Sequence, residues 1–189
     1  PELTSEVQKA KAEGSEVKAV MDYCRENMDI AVTDQQLENI AALKVAMRRL
    51  ANRYGCNAIA IQCWNALQGE LGIMPCAANS LLNEEGLPVV CETDIHGAIT
   101  AVMAEAADLN RTPSFFADWT VRHPDNDNGE LLQHCGPWPL SCARERPTIG
   151  TPLAFDYPGA VEAEAKHGLV TLCRFDGDNG EYSMLMGTA

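Results

Sequence analysis

Two acids one residue apart, Glu92 and Asp94, close the apolar run Leu87-Pro-Val-Val-Cys91 and precede Ile95-His-Gly97. The run reads as a short buried strand and the residues after it as a helix. Open α/β sheets bind ligands outside the carboxyl ends of their strands, at turns of this kind. Two carboxylates so close repel each other unless a cation, a shared proton or hydrogen-bond donors offset the charge. Metal-assisted proton transfer on a small polar substrate is therefore one chemistry the pair offers, with Asp94 and Glu92 as ligand and base. The pair equally suits the start of a helix, capping its free N–H groups and favouring its positive end. The residues alone leave both readings open.

Other residues are placed to join them. Gln62-Cys-Trp64 ends the preceding apolar run, on the same rim, where an amide and an indole suit a polyol; a core tryptophan with a polar neighbour is the plain reading. Glu70 follows closely as a further metal ligand or as a solvated helix glutamate. His134 and Cys135 lie just past another strand-like run, the histidine suited to metal binding or proton transfer and Gly136 to close backbone approach. Neighbours in an extended chain point to opposite sides, so Cys135–His134 is a weak basis for thiol catalysis. Asp125-Asn-Asp-Asn-Gly129 resembles a calcium loop, but its twelfth position is Gly136, where such a loop needs a bidentate glutamate. It reads as a turn. His96 lies off the apolar stripe of its helix, while His123 and His167 read as surface residues.

The elements that must position these residues follow from periodicity. Helices are expected over 4–12 and 15–28, broken at Gly14. Thr33-Asp-Gln-Gln36 is a capping box opening a long helix that presents Leu37, Ile40, Met47 and Leu50 and ends near Gly55. Strands are expected over 57–62, 87–91, 114–119 and 131–134, with short helices over 64–71 and 76–83. Ile95, Ala98, Ile99, Val102, Met103 and Ala106 form the apolar stripe of another helix. This alternation predicts an α/β fold with a mostly parallel sheet covered by helices, residues 1–148 as a Rossmann-like domain. Residues 149–189 read as the start of an antiparallel β region, with a hairpin turning at Asp176-Gly-Asp-Asn-Gly180.

Composition removes several classes. The formal net charge of −13 over 189 residues argues against nucleic acid and against a polybasic membrane contact. No run of about 18 apolar residues is present. A polar start and eight cysteines without a Cys-x-x-Cys pair suggest a reduced, cytoplasmic protein. Both ends read as cut, as in a piece of a longer chain.

Read together, Ala58-Ile-Ala-Ile-Gln-Cys-Trp64, Gly72-Ile-Met-Pro-Cys-Ala77, Gly86-Leu-Pro-Val-Val-Cys-Glu-Thr-Asp-Ile-His-Gly-Ala98, Phe115-Phe-Ala-Asp-Trp119 and His134-Cys-Gly136 resemble the L-fucose isomerase family and its fucose-isomerase-like relatives. The likeness covers roughly 34–189. It implies an aldose–ketose isomerase that uses Mn2+ or another divalent cation and passes through an enediol. Asp94 matches the family's metal-binding aspartate, and Glu92 the acid two residues before it. His134 and Cys135 match a segment lining the sugar pocket. The family's second metal carboxylate falls at Glu70 by an ungapped count and near Cys76 by the Pro-Cys block. Its metal histidine lies in a C-terminal β domain beyond this chain, so half a site is expected here. The resemblance further implies a homo-oligomer and a small sugar substrate, with a non-catalytic sugar-binding or assembly module as the alternative.

Overall fold

The computed structural model describes residues 2–152 and 156–189. Its helices are α1 (Glu2–Glu13), α2 (Ser15–Asn27), α3 (Asp34–Tyr54), α4 (Ala66–Leu71), α5 (Cys76–Glu84) and α6 (Ile95–Ala107). The strands are β1 (Asp29–Ile30), β2 (Ile59–Ala60), β3 (Val89–Val90), β4 (Asp118–Arg122), β5 (Glu130–Gln133), β6 (Thr148–Gly150), β7 (Ala160–Glu162), β8 (Thr171–Asp178) and β9 (Glu181–Thr188). The core is organised on α3. Its capping box forms as expected, the Thr33 hydroxyl accepting from the Gln36 N–H and the Gln36 side chain from the Thr33 N–H. Leu37, Ile40, Leu43, Val45 and Met47 are all buried, so α3 is enclosed on more sides than one amphipathic face would be. At its far end Arg49 and Arg53 pair with Glu13 at 2.6 Å and Glu6 at 2.7 Å, fastening α1.

One mostly parallel sheet is not what the described strands form. They make a three-stranded mixed sheet, β1-β6-β7, and three separate two-stranded pairs. Only β1–β6 and β2–β3 run parallel. The third and fourth strands expected for the parallel sheet are instead an antiparallel hairpin, β4–β5, starting at Asp118 rather than Ser114. The physical reason lies in the segment between them. Residues 123–129 are turn formers too few to build the helical crossover that parallel strands need. The second hairpin, β8–β9, forms where its turn residues predict it.

Helix α6 also departs from expectation. Ile95, Ile99 and Met103 face outward, while Gly97, Ala98, Thr100, Ala101 and Glu105 are buried. Small side chains let the helix backbone approach β2 and β3, which larger ones would hold off. The buried side is therefore chosen by volume rather than by hydropathy. Among the described residues no helix is long and apolar enough to cross a membrane.

Candidate active site

Strand β3 ends in a tight turn that separates the two acids. The Thr93 N–H donates to the Ile61 carbonyl at 3.1 Å and the Asp94 N–H to the Cys91 carbonyl at 3.2 Å. Glu92 and Thr93 both take left-handed conformations, with φ of 60° and 56°. Each costs on the order of 1 kcal/mol or more, and for a β-branched threonine the conformation is rare. Strain of this kind persists only where the surroundings hold it. Here it sends Glu92 and Asp94 to different partners.

Glu92 turns toward His134. The histidine Nε2 lies 3.8 Å from Glu92 Oε1 and 3.6 Å from Asp118 Oδ2. Asp118 opens β4 and pairs in register with Gln133, which places it beside His134 at the end of β5. The His134 side chain is only 2 % exposed, whereas Glu92 and Asp118 are about half exposed. Phe116 stands edge-on to the imidazole, with ring centres 5.3 Å apart.

The His134 loop is held from below by α5. Ser80 Oγ donates to the Gly136 carbonyl at 3.0 Å. The Asn83 side chain donates to the Pro137 carbonyl and accepts from the Val89 N–H at 2.6 Å. A Cβ on Gly136 would lie 3.1 Å from Cys91 Sγ and 3.2 Å from the His134 ring. Gly136 thus allows close approach, as expected, but to its own protein rather than to a ligand.

One ligand atom from each of Glu92, Asp118 and His134 lies within 4.8 Å of the others. An imidazole with two carboxylates suits divalent cations of intermediate hardness, such as manganese or zinc. His134 Nδ1 is buried without a partner, leaving Nε2 as the nitrogen that faces the acids. The residues fit a cation. Asp118 had no separate signal in the sequence beyond its place in Phe115-Phe-Ala-Asp-Trp119.

Asp94 faces elsewhere. It caps α6, accepting from the Gly97 N–H at 2.8 Å, and takes a two-pronged contact from Arg174 of β8. Partial burial pushes its carboxyl up, but the Arg174 guanidinium and the Gly97 N–H outweigh burial and hold it below the ordinary 3.8. Phe175 N–H to Thr100 Oγ1 at 2.9 Å and His96 Nδ1 to Asp176 at 3.0 Å complete the latch of the hairpin onto α6. Asparagine caps helices as well as aspartate does, so Asp94→Asn is expected to cost no more than about 1 kcal/mol, the worth of a part-exposed ion pair. Urea unfolding measures it. Acid acts in the same direction: with the folded value lowered, the pair stabilises fully above the ordinary carboxyl value and is lost as pH falls through the lowered one.

The remaining candidates lie outside this three-residue group. Gln62 and Trp64 are exposed beyond β2, and Glu70 is exposed on α4, outside the three-residue group. Cys135 is half-buried and packs against Met74, Cys76 and Ala160. Cys63 is buried beside Cys91, and the neighbouring Cys91 thiol, with the Glu92 backbone, holds its thiol below the ordinary value against the effect of burial. Two open clefts, about 390 and 380 Å³, lie elsewhere, at the β8–β9 turn and between α2 and α3.

This geometry can be set beside known proteins. No protein-family model matches the chain. It is 34% identical over 112 residues to a protein of Alkalicoccus urumqiensis, covering 59% of this chain and 25% of the relative. With a protein of Priestia aryabhattai it shares 26% over 158 residues, 81% of this chain and 34% of the relative. With one of Clostridium sp. (strain MSTE9) it shares 30% over 129 residues, 64% and 28% respectively. All three are named sulfoquinovose isomerase. The similarity is thus to sugar isomerases, the coarser form of the resemblance read from the motifs. The chain spans about a quarter to a third of the length of these relatives.

Proposed function

We propose that this chain carries part of the active site of a metal-dependent aldose–ketose isomerase, fucose-isomerase-like in kind, acting on a small sugar. The observation that supports it is the approach of Glu92 and Asp118 to His134 Nε2 beside a strained turn. The names of the relatives support the same reaction class. Glu92, Asp118 and His134 would hold the cation, in place of the set Asp94, Glu92 and Glu70 read from the sequence. A divalent cation such as manganese, when bound, polarises the sugar carbonyl.

The chain's own groups do the rest. A half-exposed carboxylate, Glu92, takes the proton from C2 of the open-chain aldose and returns it to C1, while the O2 hydroxyl proton passes to O1, through an enediol. Gln62, Trp64 and Cys135 line the rim on which the sugar hydroxyls rest. Assembly into a homo-oligomer would cover the outward apolar face of Ile95, Ile99 and Met103. Residues 149–189 we read as the start of a β domain.

The test titrates this chain with sulfoquinovose, L-fucose or L-arabinose in turn, with and without Mn2+, and reads binding, since the chain holds only part of the site. At least one sugar is expected to bind more tightly with Mn2+ present, its oxygens completing the coordination of a cation held by this chain. Mn2+ leaving the affinity for all three sugars unchanged would overturn the isomerase reading. One observation favours the alternative, a non-catalytic sugar-binding module: both oxygens of Asp94 are taken by a cap and an arginine. Sugar binding that is indifferent to metal, without turnover, would mark that module.

A further inference from the structure

We propose that Cys76 and Cys135 form an oxidisable dithiol, a modification site at which a peroxide installs a reversible disulfide. All eight cysteines are free thiols. Four of them fall in two neighbouring pairs: Cys63 lies beside Cys91, and Cys135 packs against the small cluster that contains Cys76. The two pairs differ in access. Cys63 and Cys91 are 4 % and 2 % exposed, so neither offers an entry point. In the other pair Cys76 is 1 % exposed, but Cys135 is only half-buried and packs against Met74, Cys76 and Ala160.

A reachable thiol touching a sheltered one is the arrangement in which oxidation stops at the disulfide. Cys135 sulfur attacks the O–O bond of hydrogen peroxide, giving a sulfenic acid and one water. Cys76 sulfur then attacks the sulfenic sulfur, forming the S–S bond and releasing the second water. Two thiols and one peroxide give one disulfide and two waters, and a small thiol reductant reverses the change.

The backbone around the pair makes the link consequential. Cys76 is the first residue of α5, anchored by the Ala77 N–H to the Gly159 carbonyl at 2.7 Å. Cys135 lies between His134 and Gly136, in the loop that Ser80 and Asn83 hold against that same helix. Closing the disulfide ties the residue after His134 directly to the start of α5.

The experiment treats the full chain, carrying Cys56→Ser to remove the exposed thiol, with hydrogen peroxide, then maps peptides without reduction. The expected product is a peptide pair joined through Cys76 and Cys135 that dithiothreitol separates. Cys135→Ser and, separately, Cys76→Ala should abolish it, while Cys63→Ser leaves it in place. Circular dichroism of each variant shows that the loss is not a failure to fold. Cys135 carried through to sulfinic acid with Cys76 still a thiol would overturn the proposal, as would a Cys63–Cys91 link forming in its place.

Discussion

Replacing Asn83 with alanine is expected to destabilise the chain by about 3 kcal/mol, more than any surface substitution near the site. Asn83 is 2 % exposed and serves two elements at once. Its oxygen accepts from the Val89 N–H at 2.6 Å, and its amide nitrogen donates to the Pro137 carbonyl, with a longer contact to the Val89 carbonyl at 3.4 Å. Alanine leaves a buried backbone donor and a buried acceptor unpaired, each costing about 1–3 kcal/mol, and adds a small cavity. Asn83→Asp tests the donor separately, since it keeps an acceptor for Val89 but sets a carboxylate against the Pro137 carbonyl. Both variants should lower the urea midpoint with little change in slope. A loss below about 1 kcal/mol for the alanine variant would mean that water replaces the side chain.

That bond also explains how far the site could be read in advance. The sequence placed α5 over 76–83 and the strand after it, and both form. It carried no sign that Asn83 and Ser80 reach across to the His134 loop, because such contacts depend on tertiary placement rather than on spacing. Glu92 and His134 were recognisable as chemistry-bearing, and the structure brings them together. Asp118 was legible only as part of a strand. Its approach to His134 depends on the antiparallel register of β4–β5, and a one-residue slip would turn it to the other face. Nor did the paired acids announce their separation, which rests on two left-handed residues of types that do not signal that conformation. Arg174, the partner of Asp94, sits 80 residues away along the chain. Local signals, such as the helix break at Gly14, the capping box at Thr33, the helix end at Gly55 and the turn at 176–180, carried through to the structure.

His134 decides between the two carboxylate arrangements. If Glu92, Asp118 and His134 hold a cation, removing the imidazole should weaken Mn2+ binding by at least about 100-fold, since even a group supporting a metal ligand is worth 10–100-fold. Titration calorimetry of His134→Ala reads this directly, and His134→Gln repeats it with less of a cavity. Wild-type affinity should also fall as the solution is acidified, because protons compete with the metal for Nε2. Asp118→Asn should weaken binding in the same direction, while Asp94→Asn should leave it near the wild-type value, that carboxylate being committed to Gly97 and Arg174. The reverse pattern, affinity lost with Asp94→Asn and kept with His134→Ala, would move the cation to the Glu92–Asp94 pair. The bond between Arg174 and Asp94 would then have to open before any metal could enter.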